Sequence, residues 1–281
     1  MTSQSTLLVA AMVVTAMFLI VGGDAAGTVM TRDGVSPFFV AWSRFAVAAV
    51  ILLPLVGIQR ADLVWDWRLV FRASLIATAI CCILTALKTE EVANVFGAFF
   101  VGPLVAYTLS VILLRETSSL PRVMLLGLGF AGVLLVVKPG FGMTIGLGLA
   151  VLAGVLHGGY LVATRWMARD YRPRFLLWSQ LLIGAVILAP FGATQIPALD
   201  TQTIQLTVIS ALGSAIGNLL LVLANRRAPA TTIAPLIYSQ LIHATLLGWL
   251  VFGDLPDGLS LLGLLVILCS GLATIWVARK G

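Results

Sequence analysis

Residues 37–54 read PFFVAWSRFAVAAVILLP, and residues 173–190 read PRFLLWSQLLIGAVILAP. Nine positions agree at a constant spacing of 136 residues: Pro37, Phe39, Trp42, Ser43, Ala49, Val50, Ile51, Leu52 and Pro54 recur as Pro173, Phe175, Trp178, Ser179, Ala185, Val186, Ile187, Leu188 and Pro190. Shared hydrophobicity alone does not bring the rarer Trp and Pro into register. At the same offset Gly22 and Gly23 meet Gly158 and Gly159. The chain reads as two copies of one unit, residues 1–140 and 141–281.

Each copy is embedded in apolar sequence. The 281 residues are 60% hydrophobic and 10% charged, with mean hydropathy +1.09, against roughly 25% charged in soluble domains. That composition excludes a soluble globular protein, a disordered chain, which needs low hydrophobicity, and a nucleic-acid binder, which needs a clustered basic surface. At roughly 20 apolar residues per crossing, the chain holds ten spans, near 7–31, 36–58, 68–88, 91–114, 120–138, 143–168, 173–193, 202–225, 230–253 and 258–278. The runs are too long, and lack the alternation, for barrel strands. The expected fold is therefore an all-α integral membrane protein of ten transmembrane helices.

Five spans per copy is an odd number, so the second copy enters the membrane from the side opposite to the first. The result is a 5+5 inverted-topology repeat around a central cavity. Such halves have two near-equivalent packings, one open to each side, and exchange between them gives alternating access to a midplane site. The competing reading is a duplicated scaffold, in which costly midplane polar residues would lack a purpose.

Thirteen of the seventeen Lys and Arg residues, Arg72 among them, fall on the side of the N-terminus, the even-to-odd loops and the C-terminus. Arg32, Lys88 and Lys138 fall on the other side, and Arg44 within a span. Both termini are expected to be cytoplasmic by the positive-inside rule. No basic residue precedes the first run, and it is longer than a signal-peptide core, so it reads as a helix. Cys81, Cys82 and Cys269 lie in apolar runs and read as free thiols.

Asp24 and Arg44 lie at matching depths, about 10–12 Å from one membrane face at 1.5 Å per residue, so they can meet. The pair reads either as a structural ion pair or as a group that binds a zwitterion or takes a proton. His157 and His243 fall near the midplane, as packing residues or substrate contacts. Tyr160 shares a helical face with His157. With Asn94, Tyr107, Asn218, Tyr238, Ser239 and Gln240 these side chains could line one wet cavity, or hydrogen-bond between helices. Trp42 and Trp178 serve as interfacial belt residues or as aromatic walls for a substrate. Gly22, Gly23, Gly158 and Gly159 permit close packing or bending, and Pro103 and Pro235 could kink their helices. No carboxylate, His or Cys stands at ligand spacing from either histidine, so no metal site or cofactor is expected. Neither a phosphate-binding Gly-Lys-Ser/Thr loop nor a hydrolase motif occurs, which argues against a pump or an intramembrane enzyme.

Ala86-Leu87-Lys88, Leu114-Arg115-Glu116, Gly127 to Gly132, Phe252-Gly253-Asp254, Gly263, Gly271 and Trp42-x-Arg44-Phe45 together resemble the EamA family of the drug/metabolite transporter superfamily. The resemblance runs through both five-helix copies. The first copy departs from the usual Gly-Glu turn, with Arg115 before Glu116. The resemblance implies a bacterial inner-membrane carrier with spans one to four and six to nine around the cavity. It also points to export of small metabolites, amino acids including aromatic ones, as in similar bacterial exporters. Uptake of a nucleoside- or vitamin-like compound is the alternative. The partners expected are the bilayer and a small-molecule substrate, with no nucleic acid; a monomer is compatible with the scheme.

Overall fold

A computed structural model describes residues 3–59, 66–115, 120–138, 142–167, 170–227, 236–237 and 239–280. It contains helices and no strands among the described residues. They are α1 (Ser3–Arg32), α2 (Pro37–Val56), α3 (Trp67–Leu87), α4 (Val92–Leu113), α5 (Leu120–Val137), α6 (Ile145–Met167), α7 (Pro173–Gly192), α8 (Thr201–Arg227), α9 (Ser239–Phe252) and α10 (Gly258–Lys280). Seven are long and apolar enough to cross a membrane, while α5, α9 and α10 carry shorter apolar stretches. At 1.5 Å per residue, 20-residue α2 and α7 span about 30 Å, the thickness of the hydrocarbon core.

Local chemistry sets the helix ends. Pro37 and Pro173 open α2 and α7 at the first turn, where a missing N–H costs nothing. Asp66, Thr144, Asp200 and Asp257 accept backbone N–H groups at the starts of α3, α6, α8 and α10, at 2.9, 3.1, 2.7 and 2.8 Å, relieving orphan donors. α4 is broken at Phe100, and its second part begins at Val101. Pro103 cannot donate to the carbonyl four residues earlier, which loosens the helix just there.

α4 and α9 are each followed by a left-handed residue: Arg115, φ +53°, after α4, and Gly253, φ +71°, after α9. The departure noted at Arg115 is therefore one of residue type, since the backbone takes the conformation that glycine adopts freely. A Cβ in that region costs roughly 1–2 kcal/mol. Arg115→Gly is expected to raise stability by about 1 kcal/mol, seen as a higher melting temperature in detergent; an unchanged or lower one would show that Arg115 recovers the cost through its contacts.

Packing joins the two halves of the sequence. α1 lies along α8, α6 along α3, α2 against α7, and α5 against α10; α4 packs on α6 and α9 on α1. Where α5 crosses α10, a Cβ on Gly132 would fall 2.8 Å from the Gly263 carbonyl oxygen, and one on Gly263 2.6 Å from that of Gly132. Exposed apolar residues occur in both halves of the sequence, as Val50 (72% exposed) and Val186 (66%) illustrate. Surface of that kind belongs against lipid tails.

Ion pairs tie the loops at both faces. At the face carrying the ends of the chain, Arg68 bridges Asp66 and Asp170, each at 2.8 Å, Tyr171 donates to Asp66 at 2.7 Å, and Arg172 donates to the Gly57 carbonyl at 3.0 Å. At the far face Arg32 pairs with Asp254 at 2.7 Å and Lys138 with Asp257 at 2.5 Å, while Thr144 donates to Glu90. The hydrogen bond from Arg68 holds the Asp66 carboxyl at about 2, and that from Lys138 does the same for Asp257. Burial, reinforced by the nearby Asp254 and Asp257, raises Glu91 above the ordinary carboxylate range. Arg32–Asp254 and Lys138–Asp257 each join the first half to the second, as does Arg68–Asp170.

Candidate functional site

Asp24 on α1 and Arg44 on α2 are 7% and 3% exposed, and Arg44 Nη1 donates to Asp24 Oδ1 at 2.7 Å. Their matching depth below the far face brings them together as the spacing predicts. Isolated, either charge would cost several kcal/mol in a low-dielectric interior. A second bond locks the site's backdrop: Ser210 on α8 donates from Oγ to the Gly23 carbonyl at 2.8 Å. A Cβ at Gly23 would lie 2.9 Å from the Ser210 carbonyl oxygen, so only glycine lets α1 and α8 approach so closely.

Beside this pair lies a cavity of about 20 Å³ between α2, α3, α7 and α8, room for about one water-sized group. Its polar lining is Arg44, Ser214 and Asn218; Phe45, Ala48, Ile80, Leu177, Leu181, Ala211 and Ala215 make the rest. Asn218 Nδ2 donates to the Ser214 carbonyl at 2.8 Å. Arg44 Nε is buried and has no hydrogen-bond partner.

The positions 136 residues after Asp24 and Arg44 are Tyr160 and Gln180, and they too are bonded, Tyr160 Oη donating to Gln180 Oε1 at 2.8 Å. Local bonds repeat as well. Thr28 donates to the Asp24 carbonyl at 2.8 Å and Thr164 to that of Tyr160 at 2.7 Å; Ser43 and Ser179 each donate three residues back at 3.1 Å. Into the second cluster α3 inserts Arg72, which is 2% exposed. It donates to Gln180 Oε1 (2.6 Å), Thr164 Oγ1 (2.8 Å), the Leu176 carbonyl (2.8 Å) and Tyr160 Oη (3.2 Å), and stacks 4.9 Å from the Tyr160 ring centre. This corrects the charge tally of the sequence, which places Arg72 with the loop residues. Arg72 is an interior cation, tolerated because four neutral acceptors surround it.

The remaining predicted residues do not converge on one cavity. His157 on α6 stacks near Phe99 (5.0 Å between ring centres) and Tyr160 (5.7 Å), and His243 on α9 meets Phe18 of α1 at 5.6 Å. Nδ1 of each is buried without a partner. Asn94 donates to Glu91 at 2.7 Å near the far face, Ser239 to the Leu236 carbonyl at 2.6 Å, and Gln240 is buried. Trp178 Nε1 donates to the Ala49 carbonyl at 2.9 Å, and Trp42 stacks near Phe39. Tyr107 is half-buried on the second part of α4. α1 and α6 run unbroken through their glycine pairs. Gly158 packs with its would-be Cβ 2.6 Å from the Gly102 carbonyl oxygen, whereas Gly22 faces open space and Gly159 has only ordinary contact with Leu75. Tyr238 and Pro235 lie outside the described residues. Sequence reasoning missed Arg72 and Gln180. The signals for them were an arginine five residues inside a span and a glutamine at the repeat position of Arg44.

The sequence matches the EamA-like transporter family twice, over residues 7–138 and again over 144–276. It is 23% identical over 241 residues to a riboflavin transporter of Brucella anthropi, covering 81% of this chain and 84% of that protein. It is 24% identical over 251 residues to an S-adenosylmethionine uptake transporter of Rickettsia conorii, covering 86% and 84%. A solved crystal structure superimposes over 100% of this chain and 99% of its own with a TM-score of 0.70 at 18% identity, a likeness of fold.

Proposed function

The chain belongs to the EamA-like transporter family, and on that premise we propose that it is a secondary carrier working by alternating access between its two five-helix halves. The single observation that carries this reading is the pair of polar clusters, Asp24–Arg44 and Tyr160–Gln180, at equivalent positions in two halves. One lies toward each face, as an inverted repeat requires. The helix pairings support it too, since adding five to each helix number turns α1–α8 into α6–α3 and α4–α6 into α9–α1. In this reading the cavity beside Arg44, far below the 300–1,000 Å³ or so of a ligand site, widens when a substrate enters. Opening then separates the loop ties at one face at a time.

As cargo we propose a small organic metabolite, with amino-acid export as the first reading: a buried guanidinium suits a carboxylate and the apolar walls suit a side chain. Uptake of a vitamin- or nucleoside-like compound is the second, favoured by the names of the Brucella and Rickettsia proteins. We place the protein in the bacterial inner membrane with both termini cytoplasmic, the arginine-rich loops setting that orientation. Counterflow in proteoliposomes with labelled amino acids, riboflavin and nucleosides tests the proposal. Accumulation of an unmodified compound supports a carrier, and product without transfer would indicate an enzyme.

His157→Ala is expected to cut flux at least tenfold while the melting temperature stays within a few degrees of wild type. The ring sits among Phe99 and Tyr160 with Nδ1 unpaired, so its loss removes no hydrogen bond at that atom. Normal flux in this variant would make His157 a packing residue.

A further inference from the structure

Resting on the carrier reading, we infer that the cavity beside Arg44 is the subsite for the carboxylate end of the substrate. A guanidinium has five N–H donors, and in this side chain, 3% exposed, Nη1 serves Asp24 at 2.7 Å while Nε has no partner. A buried donor left unmade is costly, and an acceptor delivered by a ligand removes that cost through a charge-assisted bond. Arg44 lines the cavity together with Ser214 and Asn218; Nε itself is closed over, and a carboxylate meets it as the cavity widens.

A guanidinium N–H bonds an anionic acceptor more strongly than a neutral one. Among the described residues the charged side chains buried in the helical interior are Asp24, Arg44 and Arg72, one carboxylate to two guanidinium groups. Arg72 is bonded to neutral acceptors in the other cluster, whereas Arg44 meets Asp24 through Nη1 and keeps Nε for an incoming carboxylate. Phe45, Leu177 and Leu181 leave an apolar wall for the body of the molecule.

The test uses matched acids and amides on the full chain in detergent and in proteoliposomes: phenylalanine and phenylalaninamide, nicotinate and nicotinamide, indole-3-acetate and indole-3-acetamide. At least one acid is expected to raise the melting temperature, by binding the folded state, at a tenfold or more lower concentration than its amide. In Arg44→Lys, which keeps a charge for Asp24 but loses the planar fork, that preference is expected to collapse to threefold or less. Asn218→Leu, which fills the cavity without touching the ion pair, is expected to weaken the acid at least tenfold. Acids and amides acting within threefold of one another in every pair, or neither acting, would overturn the inference. So would a preference that persists in folded Arg44→Lys or, should that variant not fold, in Asn218→Leu. Counterflow of any neutral panel member with no preference for acids would leave the carrier reading standing while removing this subsite; no counterflow of any compound would remove the carrier reading itself.

Discussion

Arg44→Ala is expected to leave little folded protein. The substitution strands the Asp24 carboxylate at 7% exposure in a helix interior where no other buried cation is bonded to it among the described residues. Breaking a buried pair by removing one partner costs about 3–5 kcal/mol, a large share of the roughly 5–15 kcal/mol that keeps a protein folded. Arg44 also lines the cavity together with Ser214 and Asn218, so truncation enlarges the gap between α2 and α8 in addition. The readouts are yield of monodisperse protein and melting temperature in detergent. The double substitution Asp24→Asn with Arg44→Gln removes both charges and keeps two groups that can bond to each other, and it is expected to recover most of the lost stability. Recovered folding without recovered flux would assign the pair a part in transport. Recovery of both would make it a packing device, and wild-type melting in Arg44→Ala alone would show that the pair contributes nothing.

Arg72→Met is expected to have the second-largest effect, on folding and on flux together. The guanidinium joins α3 of the first half to Thr164 and Tyr160 on α6 and to Leu176 and Gln180 on α7. It is thus a tie across the two halves, close to the face that carries the chain ends. Losing it removes four hydrogen bonds from a charged donor, while Ser179 still donates to the Leu176 carbonyl and Tyr160 to Gln180. Removing a buried cation offsets part of the loss, so a net destabilisation of about 3 kcal/mol follows. Arg72→Lys, with a point charge in place of the fork, is expected to fall between. If Arg72→Met melts and transports like wild type, the cluster neither holds the halves together nor gates them.

The spans were legible because hydropathy and length act together: α2 and α7, predicted at 36–58 and 173–193, run Pro37–Val56 and Pro173–Gly192. The Asp24–Arg44 pair was legible for a related reason, since depth follows from counting residues to the span end. Arg72 was not. Five residues inside a span, an arginine ordinarily extends its head back to the interface, and its bonding partners lie 88 to 108 residues away in sequence, on helices whose rotation about their own axes no span boundary sets. The same missing rotation explains why His157, His243, Asn94 and Gln240, all correctly placed on their helices, do not share the Arg44 cavity. Pro103 announced a weakness in α4, while the residue that absorbs it, Phe100, depends on the close approach of α6 through Gly102 and Gly154.

Access to Asn218 tests the central claim most directly. In a chain with Cys81, Cys82 and Cys269 replaced by Ala, a single cysteine is placed at 218 and exposed to a membrane-impermeant maleimide, in sealed vesicles of either orientation. Alternating access predicts labelling from both sides, with a transported compound shifting the balance between them. Labelling from one side only, unchanged by every compound that the protein binds, would contradict it.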